Sequence, residues 1–302
     1  MAKKLTKANL LIMALLILII NGESGAVKPD ENASLFYDGV SYLAKLADMY
    51  FYIYRKGQWS QEFIKGVNIG LVKPGTFPGE YAITKEEYLR WFEDISEMNA
   101  NAIRVYAVQS PSFYEAFYEY NRTAKRPLYL FHGVWINEES LDAVRDVYKR
   151  DIAKEFKADI KKTIDVIHGN CTIPAKRGHA SGKYTKDISS FVIGWIFGIE
   201  WPYYVVKNTN EKNPHKKAFN GKYLYTKNAS PFECWLAECG DYAIDYETKK
   251  YAAQRPVSFM NSPSTDTLRH ANEPNPEDDM VSINTEHILK TDAFKPGLFA
   301  SY

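Results

Sequence analysis

Hydrophobic positions along the chain follow two alternating patterns. Short apolar or β-branched runs predict strands over 63–72, 102–109, 128–136, 190–201, 257–261 and 298–302. Between them, apolar residues at helical spacing predict helices over 85–99, 110–120, 151–168 and 231–253. Thr84 followed by Glu87 is typical of a capping box at a helix start. Strands that alternate with helices of this size predict an α/β fold with a parallel sheet and crossover helices.

The segment before the first predicted strand, residues 27–62, has its own hydrophobic pattern. Apolar residues recur there at helical spacing, so we expect a leading amphipathic helix. The positions that carry this pattern are Val40, Leu43, Ala44, Leu46, Ala47, Tyr50 and Phe51.

The first 26 residues have the layout of a secretory signal. Lys3, Lys4 and Lys7 precede an uninterrupted apolar run over 10–20, and small or polar residues follow. The run is shorter than the about 20 apolar residues of a spanning helix. We therefore expect an exported protein, extracellular or anchored facing outside, with 1–26 as a cleaved signal or as a membrane attachment through 10–20.

Composition excludes several classes of protein. The chain has 302 residues, and 38 basic against 37 acidic side chains leave a net charge of +1, which disfavours a nucleic-acid binder. Its three cysteines exclude a disulfide scaffold and show no zinc spacing. Aromatic residues make up 15% of the chain and suit either a well-filled core or binding to sugars or bases.

Two α/β architectures compete for the region 63–302. The turn after the first predicted strand, residues 72–79, contains neither G-x-G-x-x-G nor a P-loop, so a dinucleotide-binding doubly wound sheet is disfavoured. Long loops over 203–229 and 262–296 follow strands, as in a (β/α)8 TIM-barrel type fold. We expect an incomplete barrel with about six of its eight strands, truncated at the C-terminus.

The predicted strand over 190–201 carries the clearest candidate chemistry. Its bulky positions are Phe191, Ile193, Trp195, Phe197 and Ile199, and its smaller set is Val192, Gly194, Ile196, Gly198 and Glu200. Because a barrel interior takes the small set, Glu200 is expected to point inward at the carboxyl-end mouth. A carboxylate there suits general acid catalysis, and a structural glutamate paired with an arginine is the alternative.

Other polar and aromatic residues lie near the same end of neighbouring strands. Arg104 and Tyr106 share one face of the second predicted strand, and His132 lies on the third. We expect these residues to contact substrate together with Asn68, Trp135 and Trp201, the tryptophans by stacking on sugar rings. An ion pair for Arg104, a core position for His132 and ordinary packing of the tryptophans are the alternatives.

Three segments resemble strands one, two and four of the retaining (β/α)8 glycoside hydrolases, a superfamily with β-galactosidase/β-glucuronidase, cellulase and β-1,3-glucanosyltransferase families. They are IKGVN at 64–68, NAIRVY at 101–106 and GWIFGIE at 194–200. The resemblance implies that Glu200 is the acid/base and that the nucleophile is a glutamate on a seventh strand, absent from this chain. Ile199 stands where these families have the asparagine that touches the sugar 2-hydroxyl.

Two functions from different classes remain open. The first is an exported retaining β-glycosidase or transglycosidase that acts on a β-linked oligo- or polysaccharide by double displacement, without metal or organic cofactor. The second is a non-catalytic glycan-binding or degenerate barrel domain of a larger membrane or envelope protein. A metal-dependent hydrolase is disfavoured, because the six histidines are scattered and form neither H-x-H nor H-E-x-x-H.

Overall fold

A computed structural model describes residues 34–272, 277 and 279–302 of the chain. The predicted signal or anchor over 1–26 lies outside the described residues. The remainder is a mixed α/β structure whose centre is a parallel five-stranded sheet. The parallel sheet and its crossover helices are therefore confirmed.

The predicted leading helix is wrong, because residues 35–62 form short strands. These are β1 (Leu35–Tyr37), β2 (Val40–Tyr42), β3 (Ala44–Ala47), β4 (Tyr50–Arg55) and β5 (Gln58–Glu62). β1 pairs antiparallel with β2, and β3, β4 and β5 form an antiparallel sheet of their own.

Tight turns explain why this segment is not helical. Each hairpin closes through two residues with positive φ, namely Asp38-Gly39, Asp48-Met49 and Lys56-Gly57. Turns with two positive φ values match the right-handed twist of the flanking strands, and Asp-Gly is among their preferred sequences. The apolar residues of this segment therefore lie on or next to short strands, although their spacing also fits a helix.

From residue 66 the chain alternates strands and helices around the central sheet. In order, the elements are β6 (Gly66–Ile69), α1 (Lys85–Glu97), β7 (Ala102–Val105), α2 (Pro111–Thr123), β8 (Tyr129–Val134), α3 (Glu138–Val144), α4 (Arg150–Ile167), β9 (Cys171–Ile173), β10 (Gly182–Tyr184), β11 (Val192–Phe197), α5 (Tyr203–Lys212), β12 (Leu224–Thr226), α6 (Pro231–Tyr251), β13 (Ala253–Gln254), β14 (Val257–Phe259) and β15 (Ile288–Lys290). Single-turn 3-10 helices span Pro78–Glu80, Ser189–Phe191 and Thr285–His287. The predicted capping box of Thr84 and Glu87 is present at the start of α1, whereas α3 and α5 lie where no helix was predicted.

The central sheet has the strand order β14-β11-β8-β7-β6, and all its pairs are parallel. The predicted sixth strand lies on the outer side of β14, where Leu298 and Ser301 form isolated parallel bridges to Val257 and Met260. On the other edge, β6 pairs with β7 alone within the described residues. The described part of the chain thus shows an open parallel sheet and no closed barrel.

The two faces of this sheet bury different partners. Ile103, Trp195 and Phe197 belong to the large core that includes residues of the helices. On the opposite face, Phe131 and Ile196 pack in a smaller core with residues of β3 and β4. The first face carries most of the predicted bulky set of β11, such as Trp195 and Phe197.

Two positions of β11 depart from the predicted alternation, because Val192 packs in the large core and Ile193 in the smaller one. The pairing of β11 with β8 shifts register between Val192 and Gly194, which is the signature of a β-bulge. Because the bulge adds a residue, Ile193 packs with Ile196 in the smaller core and not with Trp195. Gly194 also matters here, since a Cβ at this position would press on the rings of Phe131 and Phe299.

A buried ion pair joins the helices to the sheet. Arg255 donates to Glu247 at 2.7 Å, and both side chains are nearly inaccessible to solvent. The other partners of Glu247 are His168 at 3.0 Å and the indole nitrogen of Trp195 at 2.8 Å. Burial by itself raises the pKa of Glu247, but Arg255 and His168 outweigh it and lower the pKa to about 2.

Removing the charge of Glu247 is expected to destabilise the fold strongly. Glu247→Gln leaves Arg255 buried without its counter-charge, a change that costs about 3–5 kcal/mol. The control is Glu238→Gln, because Glu238 pairs with Lys157 in a partly exposed salt bridge that contributes about 0–1 kcal/mol. Urea unfolding of both variants measures the difference, and equal losses of stability would contradict the prediction.

Candidate functional site

The carboxyl ends of β6, β7, β8 and β11 bring five of the seven predicted site residues to one edge of the sheet. Asn68 on β6 is in register with Arg104 on β7. Tyr106 and Trp135 each follow the last residue of their strand, and Glu200 comes shortly after β11. We refer to Asn68, Arg104, Tyr106, Trp135 and Glu200 as the carboxyl-end site. Parallel strands end at the same edge, so the sequence pattern sufficed to predict this grouping.

Arg104 is the central cation of the carboxyl-end site. Its guanidinium lies 4.7 Å from the centroid of the Tyr106 ring and donates to the carbonyl of Tyr302 at 2.5 Å. Burial lowers its pKa below the usual value, although Tyr106 and the carboxylate of Glu200 act in the opposite direction. The carboxylate of Glu200 therefore favours the charged form of this guanidinium.

Trp135 extends this row of side chains toward solvent. Its ring meets the Tyr106 ring edge to face with centroids 6.2 Å apart, and 36% of the residue is exposed. Gly133 allows the close approach of β7 and β8 here, because a Cβ at this position would clash with the backbone of Tyr106. Arg104, Tyr106 and Trp135 therefore form a continuous row with an open aromatic face at its outer end.

Glu138 is a residue of this region that the sequence analysis did not select. It accepts a hydrogen bond of 2.9 Å from the indole nitrogen of Trp135 and so holds the orientation of that ring. Asn137 caps α3 by accepting from Ser140, which places Glu138 in the first helical turn. The sequence signal for this contact is the spacing of three residues between Trp135 and Glu138, next to Asn137 as a helix-capping residue.

Glu200 is exposed and stands just beyond the sheet. Gly198 has a φ of +102°, and a Cβ there would collide with the Trp201 ring, so the chain turns sharply before Glu200. The preceding side chain, Ile199, is buried in the large core at 2% exposure. Within the described residues no hydrogen-bond donor satisfies the Glu200 carboxylate, so its oxygens are open to a ligand.

The structure does not bring His132 and Trp201 to this edge. His132 is fully buried, and its ring contacts the hydroxyl of Tyr114 and the carbonyl of Gly133, both at 2.8 Å. Trp201 is also fully buried and donates to the carbonyl of Met260 at 3.1 Å. Alternation along β8 turns His132 toward the helices, and the turn at Gly198 folds Trp201 into the core. Neither residue is in a position to contact a substrate, which corrects both expectations.

Hydrogen bonding defines the protonation of His132. The carbonyl of Gly133 can only accept, so Nδ1 carries the proton and Nε2 accepts from the hydroxyl of Tyr114. Burial lowers the pKa of His132 to about 4, from its usual value of 6.5. In the folded protein the ring of His132 is therefore neutral.

His132 is expected to make stability depend on pH. Between about pH 6.5 and about pH 4 the unfolded chain binds a proton that the folded chain does not, so stability falls as the pH falls, by about 1.4 kcal/mol per pH unit. This contribution is complete above pH 6.5. His132→Gln should reduce the loss of unfolding free energy between about pH 7 and about pH 5 by about 2 kcal/mol. An identical pH dependence of the two proteins in urea unfolding would refute this assignment.

Two features are absent from the part of the chain that the structure describes. Nowhere in this part of the chain do three His, Cys, Asp or Glu side chains form a group that could hold a metal ion. None of the described helices combines the length and apolar character needed to cross a bilayer.

Comparison with known proteins yields one distant likeness. No protein-family model and no curated protein matches the chain. A solved structure of β-glucuronidase 2 from Bacteroides uniformis, covalently bound to cyclophellitol-6-carboxylate aziridine, is similar at 12% identity and a TM-score of 0.37. The likeness covers 70% of this chain and 21% of that one. At this level it assigns the present chain neither a family nor an activity.

Proposed function

We propose that the carboxyl-end site binds a β-linked glycan, and that the protein is an exported retaining β-glycosidase or transglycosidase. The observation that carries the proposal is the row of Arg104, Tyr106 and Trp135 at the same edge of the sheet as the exposed carboxylate of Glu200. Aromatic faces pack on the apolar faces of sugar rings, and an adjacent carboxylate can reach the glycosidic oxygen. The expectation of export rests on residues 1–26 of the sequence.

Glu200 acts as the acid/base in this proposal. Its carboxylic acid donates a proton to the glycosidic oxygen as the bond to the leaving sugar breaks. Its carboxylate then removes a proton from water, or from the hydroxyl of an acceptor sugar, as that oxygen attacks the anomeric carbon of the glycosyl intermediate and the bond to the nucleophile breaks. The nucleophile has to be a second carboxylate about 5–5.5 Å from Glu200. The resemblance assigns it to the seventh strand of a barrel. Within the described residues, the central sheet has five strands and contains no counterpart of that strand.

A non-catalytic glycan-binding domain is the second candidate function. It is favoured by Ile199, which stands where the resembled families have a sugar-contacting asparagine and whose apolar side chain is packed in the core. Such a domain would use the aromatic row for affinity and would not need a proton donor. The two functions therefore differ in the role of Glu200 and share the role of Trp135.

Glu200→Gln is expected to separate the two functions. If Glu200 is the acid/base, kcat falls by about 10²–10⁴ on aryl β-glycosides with poor leaving groups and much less on those with good ones. The control is Glu211→Gln on the surface of α5, where Glu211 pairs with Lys207. A loss of the same size on both substrate types would exclude the acid/base role. Glycan binding without turnover by the unaltered protein would favour the binding domain.

Trp135→Ala is expected to weaken glycan binding under either function. Loss of a stacking face removes about 0.5–1.5 kcal/mol beyond the buried area, so Kd for a soluble β-glucan oligosaccharide should rise several-fold or more. Trp135→Phe keeps an aromatic face and should restore most of the affinity. The matched control is Trp59→Ala, since Trp59 packs on Tyr54 in the N-terminal hairpins. Calorimetry that gives equal affinities for Trp135→Ala and the unaltered protein would contradict the proposal.

A further inference from the structure

A cavity of about 540 Å³ lies at the opposite edge of the central sheet, near the amino ends of β6, β7 and β8. The β4–β5 turn forms one side, and the segments that lead into the strands form the other. Five basic residues line it, and we refer to it as the basic cavity. They are Arg55, Lys56, Lys65, Lys125 and Arg126.

The acidic residue in the lining is already engaged. Glu62 pairs with Arg55 at 2.5 Å through one oxygen and accepts from the amide nitrogen of Asn101 at 2.5 Å through the other. Within the described residues, neither Lys65 nor Lys125 takes part in an ion pair, and Arg126 reaches the side-chain oxygen of Asn99 at 3.5 Å.

Glu93 and Glu97 line a neighbouring cavity, which shares Lys125 and Arg126 with the basic cavity. They do not line the basic cavity itself. Positive charge is therefore in excess in its walls, although the whole chain carries only +1. A concave site lined by charges of one sign concentrates counter-ions of the other sign.

Buried donors without acceptors give a second, independent indication. Tyr129 lines the cavity and is 1% exposed, and within the described residues neither its hydroxyl proton nor the Nε proton of Arg55 has an acceptor. The Arg55 guanidinium lies 5.1 Å from the centroid of the Tyr129 ring, but a guanidinium only donates and cannot accept the hydroxyl proton. Buried donors are rarely left unpaired, so the missing partner is an acceptor. Phosphate and sulfate oxygens are such acceptors, and arginine binds them well.

We propose that the basic cavity is a binding site for a phosphate or sulfate ester with several negative charges. Lys65, Lys125 and Arg126 attract the anion at the entrance, and Arg55 and Tyr129 supply donors at the inner wall. The ester is either a soluble small molecule or the headgroup of an anionic lipid. Because the basic cavity lies at the edge away from the carboxyl-end site, this proposal does not depend on the glycan function.

Calorimetric titration of the full chain with pyrophosphate tests the charge at the entrance. Lys65→Ala/Lys125→Ala should raise Kd about tenfold or more and flatten its dependence on salt. The matched control is Lys212→Ala/Lys217→Ala, which removes the same charge from two exposed positions elsewhere. A soluble ester is excluded if the unaltered protein shows no detectable binding of pyrophosphate, or if the control variant loses as much affinity. The lipid experiment described next then decides whether the cavity binds a headgroup.

Anionic lipid is the second arm of this test. Vesicles of phosphatidylcholine with a phosphoinositide should sediment the protein if a headgroup is the source, and vesicles of phosphatidylcholine alone should not. Competition by pyrophosphate would assign the lipid to the same cavity. Binding of pyrophosphate without vesicle binding identifies a soluble ester. Absence of both pyrophosphate binding and vesicle binding refutes the site. Trp135→Ala should change neither kind of binding, which separates this proposal from the glycan proposal.

Tyr129→Phe tests the buried donors. Removing a hydroxyl whose proton has no acceptor among the described residues should leave Tm unchanged or slightly higher. The increase in Tm that saturating pyrophosphate causes in the unaltered protein should become smaller in the variant. An undiminished increase would exclude Tyr129 as a ligand-binding residue, and a large fall in Tm without ligand would show that the hydroxyl already has a structural role.

Discussion

The ion pair of Glu247 and Arg255 is the interaction on which the packing of this protein depends. Glu247 belongs to α6 and receives hydrogen bonds from Arg255, from His168 at the end of α4 and from Trp195 on β11. Arg255 precedes β14 and also donates to the carbonyls of Ser189 and Val192, just before and at the start of β11. One buried carboxylate thereby ties two helices to two neighbouring strands. Such a pair is costly to bury, so each partner stabilises the fold only while the other is present.

The parallel direction of the central strands separates the two candidate binding regions. Carboxyl ends gather Arg104, Tyr106, Trp135 and Glu200, which combine aromatic faces with one cation and one open carboxylate. Amino ends, together with the β4–β5 hairpin, gather an excess of basic side chains. The residues between the two edges are almost entirely apolar and buried, for example Ile103 and Leu130. The apolar middle of the sheet thus supports both edges, and the polar side chains at the two edges differ.

The smaller core explains how the N-terminal hairpins contribute. Leu43 and Ile53 pack with Phe131 and Ile196 on the face of the sheet opposite the helices. Arg104 and Tyr106, at the carboxyl-end edge of the sheet, remain partly accessible. Arg55 extends from the same hairpins over Tyr129 and lines the basic cavity. The segment predicted as a leading helix therefore completes the smaller core and one of the two candidate sites.

The sequence by itself determined the elements whose signals are local. Hydrophobic periodicity and the capping residue Thr84 predict the helix α1, and the predicted ends of neighbouring parallel strands place Arg104, Trp135 and Glu200 at one edge. Tertiary structure decided what depends on contacts between distant segments. Pairing with β8 introduces the bulge that turns Ile193 inward, and packing of the helices on β8 buries His132. Register, burial and the pairing of charges depend on residues far apart in the chain, which periodicity within a short window does not specify.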